Sequence, residues 1–328
     1  MLKFLKDNLK KIVMLAFAYT YVLFVAVVPI DYAVTAPGGL TSMNTAFVIE
    51  GHDMPEEFYT IFVYSYRPIT RFQYYLFKND PKMIVSKMTP AQHQNTIIDE
   101  FRKGQISKFY SYQTALIHAY QMASEKDDSI FIDYGFEGLS IYSYPRRLTE
   151  ITYGDVVIEI DGKSYEDYEP EAFFNLSEHQ NVQYKIKKAS GEIYEVTYEQ
   201  IANDLPFGFF EKYEIYDAYP HFETPGLSSL TGGPSGGMLQ TLSIYASLLN
   251  INIGDKKITG TGTVNYNGNV GRIGGIVQKI YTAEWANADI FFIPISHYPE
   301  IMDIKVSFEI IPVFTIEEAA DWLYENFY

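Results

Sequence analysis

The chain has 328 residues, 47% of them hydrophobic and 20% charged, with no cysteine and a formal charge of −16. That length allows two or three domains with packed cores, and the missing cysteines exclude disulfides, thiolate metal sites and a cysteine nucleophile. The first thirty residues carry Lys3, Lys6, Lys10 and Lys11 against Asp7, a charge of +3 that leaves −19 on the remainder; so acidic a body argues against nucleic acid as a partner, because phosphates call for Lys and Arg.

Residues 12–30, IVMLAFAYTYVLFVAVVPI, form an uncharged run long enough to cross a bilayer as a helix. Four lysines precede it and the next charge is Asp31. The positive-inside bias therefore places residues 1–11 in the cytoplasm and everything after residue 30 on the extracellular face. Val34, Thr35 and Ala36 have the small-residue look of a cleavage site, but the run exceeds a usual signal-peptide core and Pro37 would directly follow the cut. The expectation is a retained single-pass anchor, residues 12–30, with the lipid membrane as partner.

In residues 31–127, Pro37, Gly38 and Gly39 read as a turn between two extended stretches. Residues 58–66, FYTIFVYSY, are rich in aromatic and β-branched side chains and read as a strand. Residues 90–105 and 107–125 read as helices; in the second, Tyr112, Ala115, Leu116, Ala119, Met122 and Ala123 recur at helical spacing. No chemistry shows here, and the segment reads as a scaffold that joins the anchor to the rest of the chain.

Residues 128–203 turn β-rich. SIFIDYG and GLSIYSY read as short strands, and LTEITYGDVVIEIDG (residues 148–162) ends on a D-G turn. After a helical stretch near residues 171–176, VQYKIKK and EIYEVTYE form a hairpin about Ser190-Gly191. Gly154-Asp155 ahead of an apolar strand that closes on Asp161-Gly162 resembles the PDZ domain. Such domains capture extended peptide ends by strand addition, with a backbone loop on the terminal carboxylate. The resemblance puts that loop at Gly138, Leu139 and Ser140; Pro145, Arg146 and Arg147 stand where the family has small residues. Gly162-Lys163-Ser164 copies the end of a phosphate-binding loop, but the glycine required five positions earlier is Val157, so no ATPase is expected.

In residues 227–249, LSSLTGGPSGGMLQTLSIYASLL, four glycines and a proline surround Ser235, and Met238, Leu239, Leu242, Tyr245, Ala246 and Leu249 mark one face of a succeeding helix. Glycines beside a serine let a substrate carbonyl approach, and the start of a helix offers backbone N–H groups for an oxyanion, here around Gly233, Pro234 and Gly236. Alone, Ser235 reads equally as a helix N-cap. Residues 257–279, KITGTGTVNYNGNVGRIGGIVQK, open with a strand, turn at Asn267-Gly268 and enter a helix with Ile276, Ile280 and Ala283 on its apolar face and Lys279 at the border. A lysine there usually snorkels to solvent. If desolvated, it would lose its proton more easily and could take one from a serine hydroxyl.

Taken in order, GGPSGG, TG…GNVGRIGG…K and the tail ADIFFIP…IIPVFTIEEAADWL resemble the proteolytic domain of Lon-type serine proteases over residues 205–328. The resemblance implies Ser235 as nucleophile, Lys279 as general base and Thr259, first of the TG pair, beside the lysine amine. Gly236 departs from the alanine that usually succeeds the family's serine. The whole layout resembles a bacterial subgroup of Lon-like proteases with an anchor, a PDZ domain and no ATPase module.

Gly233 to Gly237 also fits the G-x-S-x-G elbow of α/β-hydrolases. However, LSSLTGG is a poor strand and His297 is the one histidine after Ser235. A PDZ receptor with a dead protease domain is the other rival, and no H-E-x-x-H supports a metalloprotease. The expected class is α+β: a tail (1–11), an anchor (12–30), a mixed scaffold (31–127), a PDZ-like β domain (128–203) and a Lon-like proteolytic domain (204–328). The expected protein is an ATP-independent serine endopeptidase acting on protein or peptide substrates, with no cofactor or metal. The resemblance also allows a homo-oligomer, since Lon domains often form rings.

Overall fold

The computed structural model describes residues 7–178, 181–201, 204–224 and 233–328. Lys3 and Lys6 of the tail, the expected boundary at 203 and the LSSLTG approach to the serine lie outside the described residues. The fold is mixed α+β. It begins with α1 (Leu9–Val27), a 19-residue apolar helix long enough to cross a membrane and with none of its residues buried; it replaces the expected bounds 12–30, taking in Lys10 and Lys11 at its start and ending before Pro29 and Ile30, which pair as a strand. Next come β1 (Pro29–Ile30), β2 (Tyr32–Ser42), β3 (Val48–Ile49), β4 (Phe58–Tyr66), β5 (Ile69–Thr70), α2 (Arg71–Phe77), β6 (Ile84–Lys87), α3 (Pro90–Gln94) and α4 (Ile97–Ser124). A second run comprises β7 (Phe131–Ser143), β8 (Val156–Ile160), β9 (Lys163–Ser164), α5 (Pro170–Leu176), β10 (Asn181–Lys187), β11 (Ile193–Glu199) and β12 (Gly208–Tyr219). The last comprises β13 (Phe222–Glu223), α6 (Gly237–Leu248), β14 (Ile258–Gly260), β15 (Thr263–Val264), β16 (Val270–Gly271), α7 (Ile276–Trp285), β17 (Ile290–Pro294), α8 (Tyr298–Ile301), β18 (Glu309–Val313) and α9 (Ile316–Phe327).

One six-stranded sheet, in the order β18-β17-β14-β4-β2-β6, draws its strands from both ends of the chain. β14 pairs parallel with β17 on one side and with β4 on the other, and β4 pairs antiparallel with β2. β17 reads IFFIP and is buried throughout, as a parallel strand covered on both faces must be. Side chains of a strand alternate between faces. Phe292 and Phe58 accordingly enter a core with α4, α6 and α9, while Phe291, Ile293 and Ile61 enter another with α7. Thus α6 and α7 lie on opposite faces of the sheet. All twelve residues of α6 are buried, not one stripe of them, because α4, the sheet and α9 surround it.

The segment read as a scaffold is therefore part of the central sheet. Its expected turn at Pro37-Gly38-Gly39 is a bulge: β2 runs through it and the register with β4 shifts between Pro37 and Gly39. The two expected helices over residues 90–125 are the short α3 and the continuous α4, whose capping box is formed by Thr96 and Asp99.

The β-rich module has a separate core around Leu139, Ile141, Val157, Phe173, Tyr184 and Ile186. It hangs on the ribbon of β7 and β12, which pair from Phe131↔Tyr219 to Gly208↔Ser143. The sheet order β11-β10-β8-β7-β12 corrects the expected carboxylate loop. Gly138, Leu139 and Ser140 lie inside β7, a single strand where two were expected, and Leu139 and Ser140 are paired with β8 on one side and β12 on the other. Gly138 takes φ +108° there, and a Cβ would meet the Val157 carbonyl at 2.3 Å. The edge at which an incoming peptide strand would add is filled by the chain's own β12.

Residues 204–328 expressed alone should not fold. They would lose Met43, Phe47, Phe58, Ile61 and Leu116, all buried in the shared cores. At roughly 1.5–3 kcal/mol each, that loss rivals the roughly 5–15 kcal/mol stability of a whole domain. A cooperative thermal transition for this fragment would contradict the shared-sheet architecture.

Candidate active site

Ser235 stands two residues ahead of α6, in a loop held from three directions. The Gly233 N–H donates to the Gly104 carbonyl of α4 at 2.9 Å. The Ser111 hydroxyl, also on α4, donates to Gln240 Oε1 at 2.8 Å and lies 3.4 Å from the Pro234 carbonyl. The Ser235 carbonyl accepts from the Gly262 N–H at 2.9 Å and from the Thr261 hydroxyl at 3.0 Å. Gly236 has little room for the expected alanine: a Cβ would sit 3.0 Å from Thr60 Cγ2 and 3.1 Å from Gln240 Nε2.

Lys279 arrives from the other face of the sheet, one turn into α7. Gly275 starts that helix at φ +70°, a conformation that favours glycine, between Val63 and Thr35. The Gly38 N–H at the β2 bulge donates to Thr282 Oγ1 at 3.1 Å and ties the same helix to the N-terminal strands. The two side chains meet just past the C-terminal end of β14. Lys279 Nζ lies 2.9 Å from Ser235 Oγ and 2.8 Å from Thr261 Oγ1.

The lysine residue is 2% exposed, whereas Ser235 is half-buried. The amine is thus covered and the hydroxyl remains open to a substrate. Burial lowers the Lys279 pKa to about 7, because a desolvated ammonium is penalised relative to the neutral amine. At neutral pH a large share of the amine is therefore free to accept a proton. Thr261, which is fully buried, orients it. The threonine's own proton goes to the Ser235 carbonyl, so toward Lys279 it can only accept. An N–H of the neutral amine then points at Thr261 and its lone pair is available to the Ser235 hydroxyl.

The threonine expected beside the lysine was Thr259. Its hydroxyl instead donates to the Ile290 carbonyl at 3.0 Å, within the sheet. Thr261 takes the contact because β14 ends at Gly260 and the chain there turns toward the serine loop. Of the three expected backbone donors, Gly233 is committed to Gly104 and Pro234 has no N–H. Among the described residues, the N–H groups of Ser235 and Gly236 carry no hydrogen bond, which leaves them free to donate to a substrate oxyanion. Ser111 and Gln240 carry no signal in the sequence, because a polar pair inside apolar helix packing leaves no periodic trace. His297, the histidine a hydrolase triad would need, accepts the Ile273 N–H at its Nε2 and faces Glu300 with its Nδ1.

Residues 192–325 match the Lon protease (S16) C-terminal proteolytic domain. Lon protease 2 of Bacillus subtilis (strain 168) is 32% identical over 106 residues, which cover 32% of this chain and 19% of that protein. The chain thus spans about a fifth of the length of the curated relative it matches. Over these residues the chain is similar to a Lon-type proteolytic domain. The match begins at Glu192, inside the β module, and leaves β2, β4 and α4 outside it, although these complete the sheet and hold the serine loop.

A buried amine with a lowered pKa opposes folding. The unfolded chain binds a proton below pH 10.5 that the folded chain refuses until about 7, so the penalty is full below pH 7 and vanishes as the pH rises to 10.5. Lys279→Met should therefore stabilise the protein at pH 7 and below, by at most roughly 5 kcal/mol less what the bonds to Thr261 and Ser235 contribute. The gain should shrink toward pH 10. Denaturant titrations at several pH values measure it; a gain independent of pH would contradict the neutral buried amine.

Proposed function

We propose that the chain is a membrane-anchored, ATP-independent serine endopeptidase that uses Ser235 as nucleophile and Lys279 as general base. The observation that carries this reading is the 2.9 Å approach of a buried lysine amine to an accessible serine hydroxyl. The amine takes the hydroxyl proton as Oγ attacks the scissile carbonyl. The Ser235 and Gly236 N–H groups stabilise the oxyanion, the protonated lysine returns its proton to the leaving amine, and water releases the acyl group. Substrates are proteins or peptides. The inserted β module, which has its own core, gates or selects them, but not through a carboxylate loop at Gly138, Leu139 and Ser140. The Lon-type match supports the peptidase class, and α1 supports the anchor.

Replacing Ser235 or Lys279 by Ala should lower turnover of a peptide substrate by roughly 10⁴-fold or more, and the double variant should be no worse than either. Lys279→Arg should be as inactive, since a guanidinium stays charged; near-wild-type turnover of folded Lys279→Arg would overturn the reading. Wild-type activity should rise with pH through about 7 as the amine loses its proton. Thr261→Val should cost up to roughly 10²-fold by freeing the amine to turn, and Thr259→Val should cost far less.

The anchor sets a topology. Protease added to intact cells should remove the body and spare the N-terminal tail, because the four lysines ahead of the uncharged run that starts at Ile12 hold that end in the cytoplasm. A body that resists digestion until lysis would reverse the orientation.

A further inference from the structure

The junction between α1 and the body contains no linker. α1 ends at Val27, β1 begins at Pro29, and Asp31 alone separates β1 from β2. At no more than about 3.6 Å per extended residue, one residue cannot lift the sheet away from the end of the helix. β1 pairs with β5, which runs directly into α2, begun by a capping box of Thr70 and Gln73. The Arg71 guanidinium lies 5.6 Å from the Phe24 ring of α1. Thus α2 is fastened at the foot of α1.

The outer face of α2 is apolar. Phe72, Tyr75 and Leu76, at i, i+3 and i+4, are 56%, 65% and 59% exposed. Tyr74 turns the other way, onto Tyr32 at 4.8 Å. Close by in the chain, the exposed rings of Tyr64 and Tyr66 stack at 6.1 Å. The charge of this stretch also departs from the rest. Residues 64–88 hold Arg67, Arg71, Lys78, Lys82 and Lys87 against Asp80, a charge of +4, so that the rest of the body carries −23; Arg67 is turned inward onto Glu100, which leaves Arg71 and the three lysines as the cations of the stretch. A short helix that shows three large apolar side chains, within a cationic island on an acidic body, has the composition of a bilayer interface: aromatic rings at headgroup depth, and Lys and Arg on anionic lipid.

We propose that residues 64–88, centred on α2, form a belt that seats the body on the anionic headgroups of the membrane α1 enters. This rests on the reading of α1 as an anchor. Phe72, Tyr75 and Leu76 enter the headgroup layer, and Lys78, over the Tyr75 ring at 4.7 Å, meets lipid phosphate. Because β2 and β4 run from this belt to the bulge and strands that hold α7, the belt fixes the height of Ser235 above the bilayer through a rigid sheet. Substrates within reach are then chain segments close to the membrane surface.

The cysteine-free full-length chain takes single environment-sensitive labels at Leu76→Cys or Phe17→Cys. It is reconstituted in vesicles of equal parts phosphatidylcholine and phosphatidylglycerol. A headgroup-level nitroxide should quench the Leu76 label by roughly two-fold or more, and a mid-chain nitroxide should quench the Phe17 label. Quenching at Phe17 without quenching at Leu76 would overturn the belt and leave the anchor standing; quenching at neither would overturn the anchor and the belt together. Lys78→Glu in the Leu76→Cys background should weaken headgroup quenching by about five-fold on anionic vesicles and leave it unchanged on phosphatidylcholine alone. Indifference to lipid charge would overturn the assignment to anionic headgroups. Peptidase activity on a soluble peptide, retained by each labelled variant, reports that it is folded.

Discussion

A lysine amine buried inside the protein, its pKa lowered to about 7, is the constraint on which the rest of the structure turns. An ammonium in water cannot act as a base at neutral pH, and removing it from water is what brings its pKa to about 7. The cover must be apolar, since a nearby carboxylate would restore the charge, and burial is the sole cause of the shift. It must also leave one direction open, toward Ser235. Thr261 resolves the conflict by giving its proton to the Ser235 carbonyl and offering only a lone pair to the amine. One hydroxyl thereby fixes both the serine loop and the orientation of the amine.

Such a cover needs more sheet than the C-terminal residues supply. The serine helix and the lysine helix lie on opposite faces, and each is held by N-terminal elements: α6 and its loop by Gly104 and Ser111 of α4, α7 by Gly38 of the β2 bulge. The β-rich module enters between these halves through β7 and leaves through β12, so the ribbon that closes its sheet also reconnects the two halves of the central sheet. That double use explains why β12 occupies the edge of β7, where strand addition by a peptide would otherwise take place.

Much of this was legible in the chain. The apolar run of α1, the aromatic strand β4, the hairpin of β10 and β11 and the Gly-flanked serine all come from composition and period, which are local properties. The proximity of Ser235 to Lys279 was legible only through the joint pattern of two motifs. The threonine was not. Thr259 and Thr261 are both in a TGTGT run and both point to the same side by strand period; which of them meets the amine depends on where β14 stops. The carboxylate loop failed for a similar reason. GLSIYS reads as the start of a strand, and only pairing with β12, about seventy residues further on, makes it the middle of one.

The sequence by itself determined the chemistry available: a serine in a glycine-rich approach to a helix, a lysine one turn into another, no thiol, a helix able to cross a bilayer and an acidic body. These depend on side-chain identity and on spacing within a few residues. The tertiary structure alone decided that residues 31–127 belong to the sheet that holds the site, that Thr261 and not Thr259 touches the lysine amine, and that the lysine is buried deeply enough for its pKa to fall. Each of those depends on contacts between segments far apart in the chain or on the point at which a strand ends, and desolvation is a property of everything packed around an amine and of no single neighbour in the chain.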